Sequence, residues 1–266
     1  MDLELAGKVA IVTGGSRGIG KAVARQLARE GVDVAIVARG REALAETANE
    51  LRTETGRQIE PVPVDTNLDE SVKAMVERVQ ERFGRIDILV NCAAAAGGSA
   101  PVPKLPEITG DLFFADMNVK VMGYLRCARE VAPHMERQGW GRIINISGLA
   151  ARQSGTTIGS MRNVAVVALT KNLADDLGPK GINVTVVHPG MTRTEAVAAR
   201  WAAQAEREGV ALAEIERRQA EGTSIKRVID AADIANVVAF LASPKSVAIN
   251  GDVIAAGGGA PRSIYY

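Results

Sequence analysis

The chain has two cysteines, two histidines and three tyrosines among 266 residues, and its 32 basic and 31 acidic side chains leave a formal net charge of +1. Each scarcity excludes something. Cys92 and Cys127 stand in strand-like and helix-like surroundings, away from the spacing of a zinc site or a disulfide framework, and are predicted to be buried structural thiols. With the histidines far apart and the acidic residues scattered, no metal site is expected. Balanced charge without long like-charged runs gives no field to hold nucleic acid. No apolar run reaches the length of a membrane span, and Met1-Asp2-Leu3-Glu4-Leu5 lacks the apolar segment of a signal peptide. A soluble, cytoplasmic protein with no membrane partner is therefore expected. A linker rich in Pro, Gly or Ser is missing too. At 47% hydrophobic content, residues 1–266 are predicted to form a single domain.

What is present is an alternation of strand-like and helix-like runs. Apolar strands are predicted at 9–12, 32–38, 59–64, 86–91, 141–147, 182–188 and near 252–255, and helical spacing at 21–30, 42–53, 71–83, 118–138, 159–177, 194–221 and 231–242. Strands that are apolar throughout, rather than at every second residue, call for burial on both faces. The predicted fold is therefore α/β, a single doubly wound Rossmann domain with a parallel sheet of about seven strands and helices on both sides. The charged, alanine-rich stretch at about 192–222 follows the sixth strand and is expected to form a substrate lid.

Between the first strand and the first helix lies Thr13-Gly14-Gly15-Ser16-Arg17-Gly18-Ile19-Gly20. Glycines let the backbone turn tightly and approach a pyrophosphate closely, and the free N–H groups and dipole of the following helix favour negative charge. The position in a first βα turn makes this a dinucleotide site. It is not the G-x-G-x-x-G form, because the residue three after Gly20 is Val23.

Taken in order, these residues resemble the short-chain dehydrogenase/reductase family over nearly the whole chain. Thr13, Gly14, Gly18 and Gly20 match its T-G-x-x-x-G-x-G loop, which also includes Ser16, Arg17 and Ile19. Asp65 matches an acidic residue that contacts adenine, and Asn91-Cys92-Ala93-Ala94 stands where the family has N-N-A-G. Asn118 resembles a helix asparagine of the proton relay. Pro189, Gly190 and Thr194 fit P-G-x-x-x-T, whose threonine lies near the nicotinamide carboxamide. The resemblance implies a small-molecule carbonyl or hydroxyl substrate and a homo-oligomer, tetramer or dimer, formed through the two long helices. At the end of the second strand, NAD-using members carry a carboxylate, and here Ala38 occupies that place. Arg39 beside it and Arg17 in the loop are suited to a 2′-phosphate, so NADP(H) is expected in preference to NAD(H).

The family's tyrosine and lysine, spaced Y-x-x-x-K, are not found. Counting back from Leu169-Thr170-Lys171-Asn172-Leu173-Ala174, the tyrosine position falls on Gly159 and the lysine position on Asn163, and no tyrosine lies between Tyr124 and Tyr265. Neither residue can donate a proton near neutrality. Ser147 is the candidate for orienting a carbonyl, although the residue after it is Gly148. Arg162, His188 and the hydroxyls of Ser154, Thr156, Thr157 and Ser160 are possible substitutes. Lys120 is set aside because side chains two apart on a helix, here with Asn118, do not face the same way. The expected function is a short-chain NAD(P)-dependent oxidoreductase with an atypical catalytic centre. The alternatives are an NADP(H)-binding sensor or partner subunit with little turnover, and a non-redox reaction in the same cleft.

Overall fold

Residues 1–94 and 102–261 are described by a computed structural model. Seven parallel strands lie in the order β3-β2-β1-β4-β5-β6-β9, with β1 at Val9–Thr13, β2 at Asp33–Ala38, β3 at Ile59–Pro63, β4 at Ile88–Asn91, β5 at Gly141–Ile146, β6 at Ile182–Pro189 and β9 at Val253–Ala256. The order reverses between β1 and β4, the switch point outside whose carboxyl ends a doubly wound sheet has its crevice. This is the doubly wound class predicted from the apolar runs, and most strand limits agree within two residues.

The helices divide between the two faces. On one side, α1 (Gly18–Arg29), α2 (Arg41–Thr55) and α9 (Ala231–Ala242) bury Leu27, Leu44, Leu51 and Val238 against Val12, Ile36 and Val90. On the other, α3 (Asp69–Phe83), α5 (Gly123–Gln138) and α6 (Thr157–Leu177) bury Val76, Val131 and Leu177 against Ile11, Leu89 and Ile143. Neighbouring strand residues such as Ile11 and Val12 therefore feed opposite layers, the physical reason that β1, β2 and β4 show no polar alternation. Each fully buried Leu, Ile or Val contributes about 1.5–3 kcal/mol.

Two regions depart from the sequence expectation. The helix predicted over 118–138 is α5 preceded by α4 (Gly110–Met117) and joined to it through a π-helical turn at Asn118–Met122. The helical stretch predicted over 194–221 is two helices, α7 (Glu195–Glu208) and α8 (Leu212–Glu221). Their excursion is closed by two short strands, β7 (Thr192–Arg193) and β8 (Ile229–Asp230), which pair in parallel. It has its own small core of Trp201, Ala205 and Ile215. Arg193 fastens it, donating from Nε to Asp230 Oδ1 at 2.7 Å and from Nη1 to Glu216 Oε1 at 2.9 Å. Among the described residues, no helix is long and apolar enough to cross a membrane. Tyr265 and Tyr266 lie outside the described residues, as do residues 95–101.

Candidate active site

At the mouth of β1 the important groups belong to the backbone. Thr13 Oγ1 accepts hydrogen bonds from the N–H groups of Cys92 and Ala93, each at 3.0 Å, tying the end of β1 to the end of β4. Gly14 and Gly18 have φ of 68° and 56°, the left-handed region that side chains with a Cβ disfavour. Gly20 is held by a closer constraint, since a Cβ there would lie 2.2 Å from the Gly14 carbonyl oxygen. The Ser16 carbonyl accepts a hydrogen bond from Thr47 Oγ1 at 3.0 Å, and Ile19 packs on the core.

Helix α1 then begins without a side-chain cap and with no acidic residue in its first turn. Its first N–H, that of Gly18, donates to Glu195 Oε2 of α7 at 3.0 Å. A carboxylate is thus already held where the helix dipole and free N–H groups favour an anion. That donor set, together with the glycines that keep the loop clear of side chains, fits a diphosphate. Arg17 and Arg39 are exposed, and among the described residues neither forms an ion pair. Ala38, at the end of β2, carries no carboxylate.

Further along the crevice, Asp65 follows β3 and accepts from both the backbone and side-chain N–H groups of Asn67. Asn91 is fully buried at the end of β4. Its amide donates to Asn145 Oδ1 at 2.9 Å, Asn145 donates to Thr170 Oγ1 at 2.9 Å, and Thr170 donates to the Val166 carbonyl. Asn91 Oδ1 is buried without a partner among the described residues. Pro189 ends β6, and Gly190 runs so close to Gly257 that a Cβ would meet its Cα at 2.8 Å. Thr194 caps α7, accepting from Val197 N, and its Cγ2 borders Gly18. The structure thus brings every nucleotide candidate to the carboxyl edge of the sheet or the loops leaving it.

Beyond β5 the functional groups are side chains, and they come from several elements. Ser147 follows β5; its hydroxyl donates to the Asn163 carbonyl at 3.1 Å, so its proton is directed into the backbone of α6. Gly159 lies at the start of α6, where its N–H is capped by Thr156 Oγ1. Ser160 Oγ bonds the Gln153 carbonyl, so both hydroxyls serve the helix start. Arg162 reaches both carboxylate oxygens of Asp116 at 2.9 Å and leans on Asn163 Oδ1 at 3.3 Å, which engages its guanidinium. His188 Nδ1 accepts from Gly148 N at 3.2 Å, which assigns the ring proton to Nε2. Burial first, then the Arg152 and Lys120 cations, lower its pKa to about 4. Tyr124 donates to the Ile146 carbonyl at 2.9 Å, and burial pushes its phenol well above the usual range.

The residue that sequence reasoning set aside is the one the fold brings in. Lys120, in the π-helical turn, is buried with Nζ 3.0 Å from the Ser147 carbonyl and 3.2 Å from Asn163 Oδ1. Asn118, two residues earlier, is half-buried and makes no side-chain hydrogen bond among the described residues. Their side chains do point apart, as helical geometry requires, but it is Lys120 that faces β5 and α6. Burial, followed by repulsion from Arg162, lowers the Lys120 pKa to about 7, against weaker opposing attraction from Asp116.

Comparison with known proteins gives this arrangement its relatives. A family model described as enoyl-(acyl carrier protein) reductase matches residues 14–260. The short-chain reductase NovJ of Streptomyces niveus is 36% identical over 255 residues, which span 95% of this chain and 94% of that protein. The structure of L-sorbose reductase from Gluconobacter frateurii, complexed with NADPH and L-sorbose, has a TM-score of 0.91 at 30% identity and covers 99% of this chain and 100% of its own. A NAD+-bound xylitol dehydrogenase reaches a TM-score of 0.85 at 29% identity, covering 96% of this chain and 100% of its own.

Proposed function

Since this chain belongs to the short-chain dehydrogenase/reductase family, we propose that it is an NADP(H)-preferring oxidoreductase of a small carbonyl or hydroxyl compound, with a proton donor other than the family's tyrosine. The observation that carries the reading is the uncapped N-terminus of α1, whose Gly18 N–H already holds a carboxylate.

In this reading Thr13, Gly14, Ser16, Arg17, Gly18, Ile19 and Gly20 hold the diphosphate, and Asp65 meets the adenine. Asn91, Pro189, Gly190 and Thr194 position the nicotinamide end. Arg17 and Arg39 select the 2′-phosphate by charge-assisted hydrogen bonds, with Ala38 offering no repulsion. The NADPH-bound sorbose reductase supports this choice, while the NAD+-bound xylitol dehydrogenase keeps NAD(H) within the range of the fold. When bound, the cofactor supplies or accepts a hydride. Asn118 and Ser147 remain the candidates for ordering the substrate side of the crevice, and α7 and α8 act as a lid that excludes water. Helices α5 and α6 form the homo-oligomer contact, consistent with Met122, Met161 and Val164 exposed near their starts.

The test is a fluorescence titration with NADPH and NADH, followed by a panel of ketones and alcohols in which NADPH absorbance is monitored. Tighter NADPH binding and turnover of a carbonyl are expected. Absence of nucleotide binding would overturn the reading, and binding without turnover across the panel would replace it with a nucleotide-holding role.

A further inference from the structure

We propose that Lys120 is the acid–base residue of this site, bringing to the crevice from the start of α5 the ammonium that position 163 of α6 does not supply. The inference rests on the oxidoreductase reading above and names its proton donor.

The geometry comes first. Asn163 stands where a lysine is expected, and its side-chain oxygen is a direct acceptor for Lys120 Nζ, so a lysine nitrogen reaches the same end of α6 from the neighbouring helix. Nζ has three N–H groups, of which the Ser147 carbonyl and Asn163 Oδ1 take two. Position 159 lies one turn before Asn163 on the same face of α6, and as glycine it places no side chain there. A Cβ at 159 would lie 2.8 Å from Thr156 Oγ1, so Thr156 stands over that position, and the third N–H of Lys120, which has no acceptor among the described residues, is the one left for a substrate oxygen.

A purely structural tie does not account for this residue. Both acceptors are neutral, and among the described residues no carboxylate lies within ion-pair distance of Nζ. A glutamine amide could bridge the same acceptors without burying a charge, which is costly when unpaired. What an ammonium adds is a transferable proton. The groups facing it leave that proton loosely held. Arg162 on α6 repels it, while Asp116 on α4 is itself clasped by Arg162. The Cys92 thiol beyond β4 is pushed up to about 12 and so is neutral, and His188 on β6 is neutral above about 4. Both forms of Lys120 are accordingly populated near neutrality, the condition for efficient general acid–base work.

In the reducing direction a hydride brings both its electrons to the carbonyl carbon. The C=O π pair moves onto oxygen, and that oxygen takes a proton from Nζ. Lys120 is left as the neutral amine and regains a proton from water. Oxidation runs the same steps in reverse, with the amine accepting the hydroxyl proton.

Lys120→Gln tests the proposal, because it keeps a hydrogen-bond donor for the two acceptors and removes the titration. In wild-type protein, kcat for carbonyl reduction should fall as pH rises through about 7. In the variant, kcat should drop about 10²- to 10⁴-fold and lose that pH dependence, while NADPH binding is unchanged. A variant that retains kcat and its pH profile overturns the proposal. Wild-type protein that binds NADPH but reduces nothing sinks the oxidoreductase reading instead. The lysine's titration is then checked by stability. Wild-type protein should gain melting temperature relative to Lys120→Gln as pH rises through the window opening at about 7, because the unfolded lysine keeps its proton up to 10.5. A difference that stays flat from about pH 5 to about pH 9 would show that Lys120 does not carry an exchangeable proton in the working range.

Discussion

At the N-terminus of α1 the groups that face a ligand are backbone N–H groups, whereas over β5 and α6 they are side chains contributed by four separate segments. The first region works by having nothing on its Cα atoms. Gly20 cannot carry even a methyl group without meeting the Gly14 carbonyl. The second works through contacts among residues far apart in the chain: Lys120 to Ser147 and Asn163, Arg162 to Asp116, and His188 to Gly148. A backbone site is fixed by local conformation and tolerates little change at a few glycines. A side-chain site can exchange its members between helices while keeping the charge in place, and the role proposed for Lys120 beside Asn163 would be such an exchange.

The sharpest way to break this comparison is at Gly20. Gly20→Val inserts three carbons against backbone rather than against a flexible side chain, so the loop must move. NADPH binding is expected to be abolished, with a loss of about 1–3 kcal/mol in stability, measured by nucleotide titration and thermal unfolding. Unchanged binding would mean that the loop is not the diphosphate seat. Next in size is the pair Arg17→Ala with Arg39→Ala. Each arginine is proposed to contribute a charge-assisted contact to the 2′-phosphate, so the double variant should bind NADPH about 10- to 100-fold less tightly. NADH binding should be little changed, because that nucleotide lacks the phosphate. Equal losses for both nucleotides would assign the arginines to the diphosphate instead.

How much of each region the sequence discloses follows from the same contrast. The glycine loop is legible because its function resides in residue type at fixed spacing. The sheet is legible because strands buried on both faces leave unbroken apolar runs such as Val9–Val12 and Val34–Ala38. Gly159 and Asn163 draw notice in the sequence only through the family resemblance, which expects a tyrosine and a lysine there. Lys120 is not legible. Helical spacing states that Asn118 and Lys120 diverge, but which of them turns toward Ser147 depends on how the π-helical turn joins α4 to α5 against α6. The destination of the Ser147 hydroxyl is equally tertiary, since it bonds a backbone carbonyl sixteen residues away. The division of residues 192–230 into α7 and α8 and the two-residue strands β7 and β8 lie below the resolution of periodicity.

His188 gives the side-chain region a measurable pH signature. Its folded pKa of about 4 lies below the ordinary 6.5, so between those values the unfolded chain binds a proton that the folded chain refuses. Stability contributed by the neutral ring is therefore complete above 6.5 and is lost as pH falls toward about 4. His188→Gln retains an acceptor for Gly148 N–H but does not titrate. The melting temperature of wild-type protein should fall relative to the variant over that interval, by the equivalent of about 3 kcal/mol at most. A constant difference between the two would mean that His188 titrates normally.

The smallest effect is expected at Glu195, which together with Thr194 brings the start of α7 against the glycine loop. Its carboxylate occupies the N–H of Gly18, so an incoming diphosphate must displace it. Glu195→Ala removes the competitor without altering the loop, and NADPH affinity should rise about 2- to 10-fold, the net range of one ordinary hydrogen bond at an exposed site. The same contact joins the start of α7 to α1, and Trp201 is buried in the lid's own core. In wild-type protein, NADPH binding should therefore perturb Trp201 fluorescence as the tether is released, and Trp140→Phe leaves Trp201 as the only tryptophan to report it. In Glu195→Ala that change should shrink, because the tether is already gone. Weaker NADPH binding by the variant would reverse the assignment: Glu195 would then be a residue that orders the loop for the nucleotide rather than one that occupies its place.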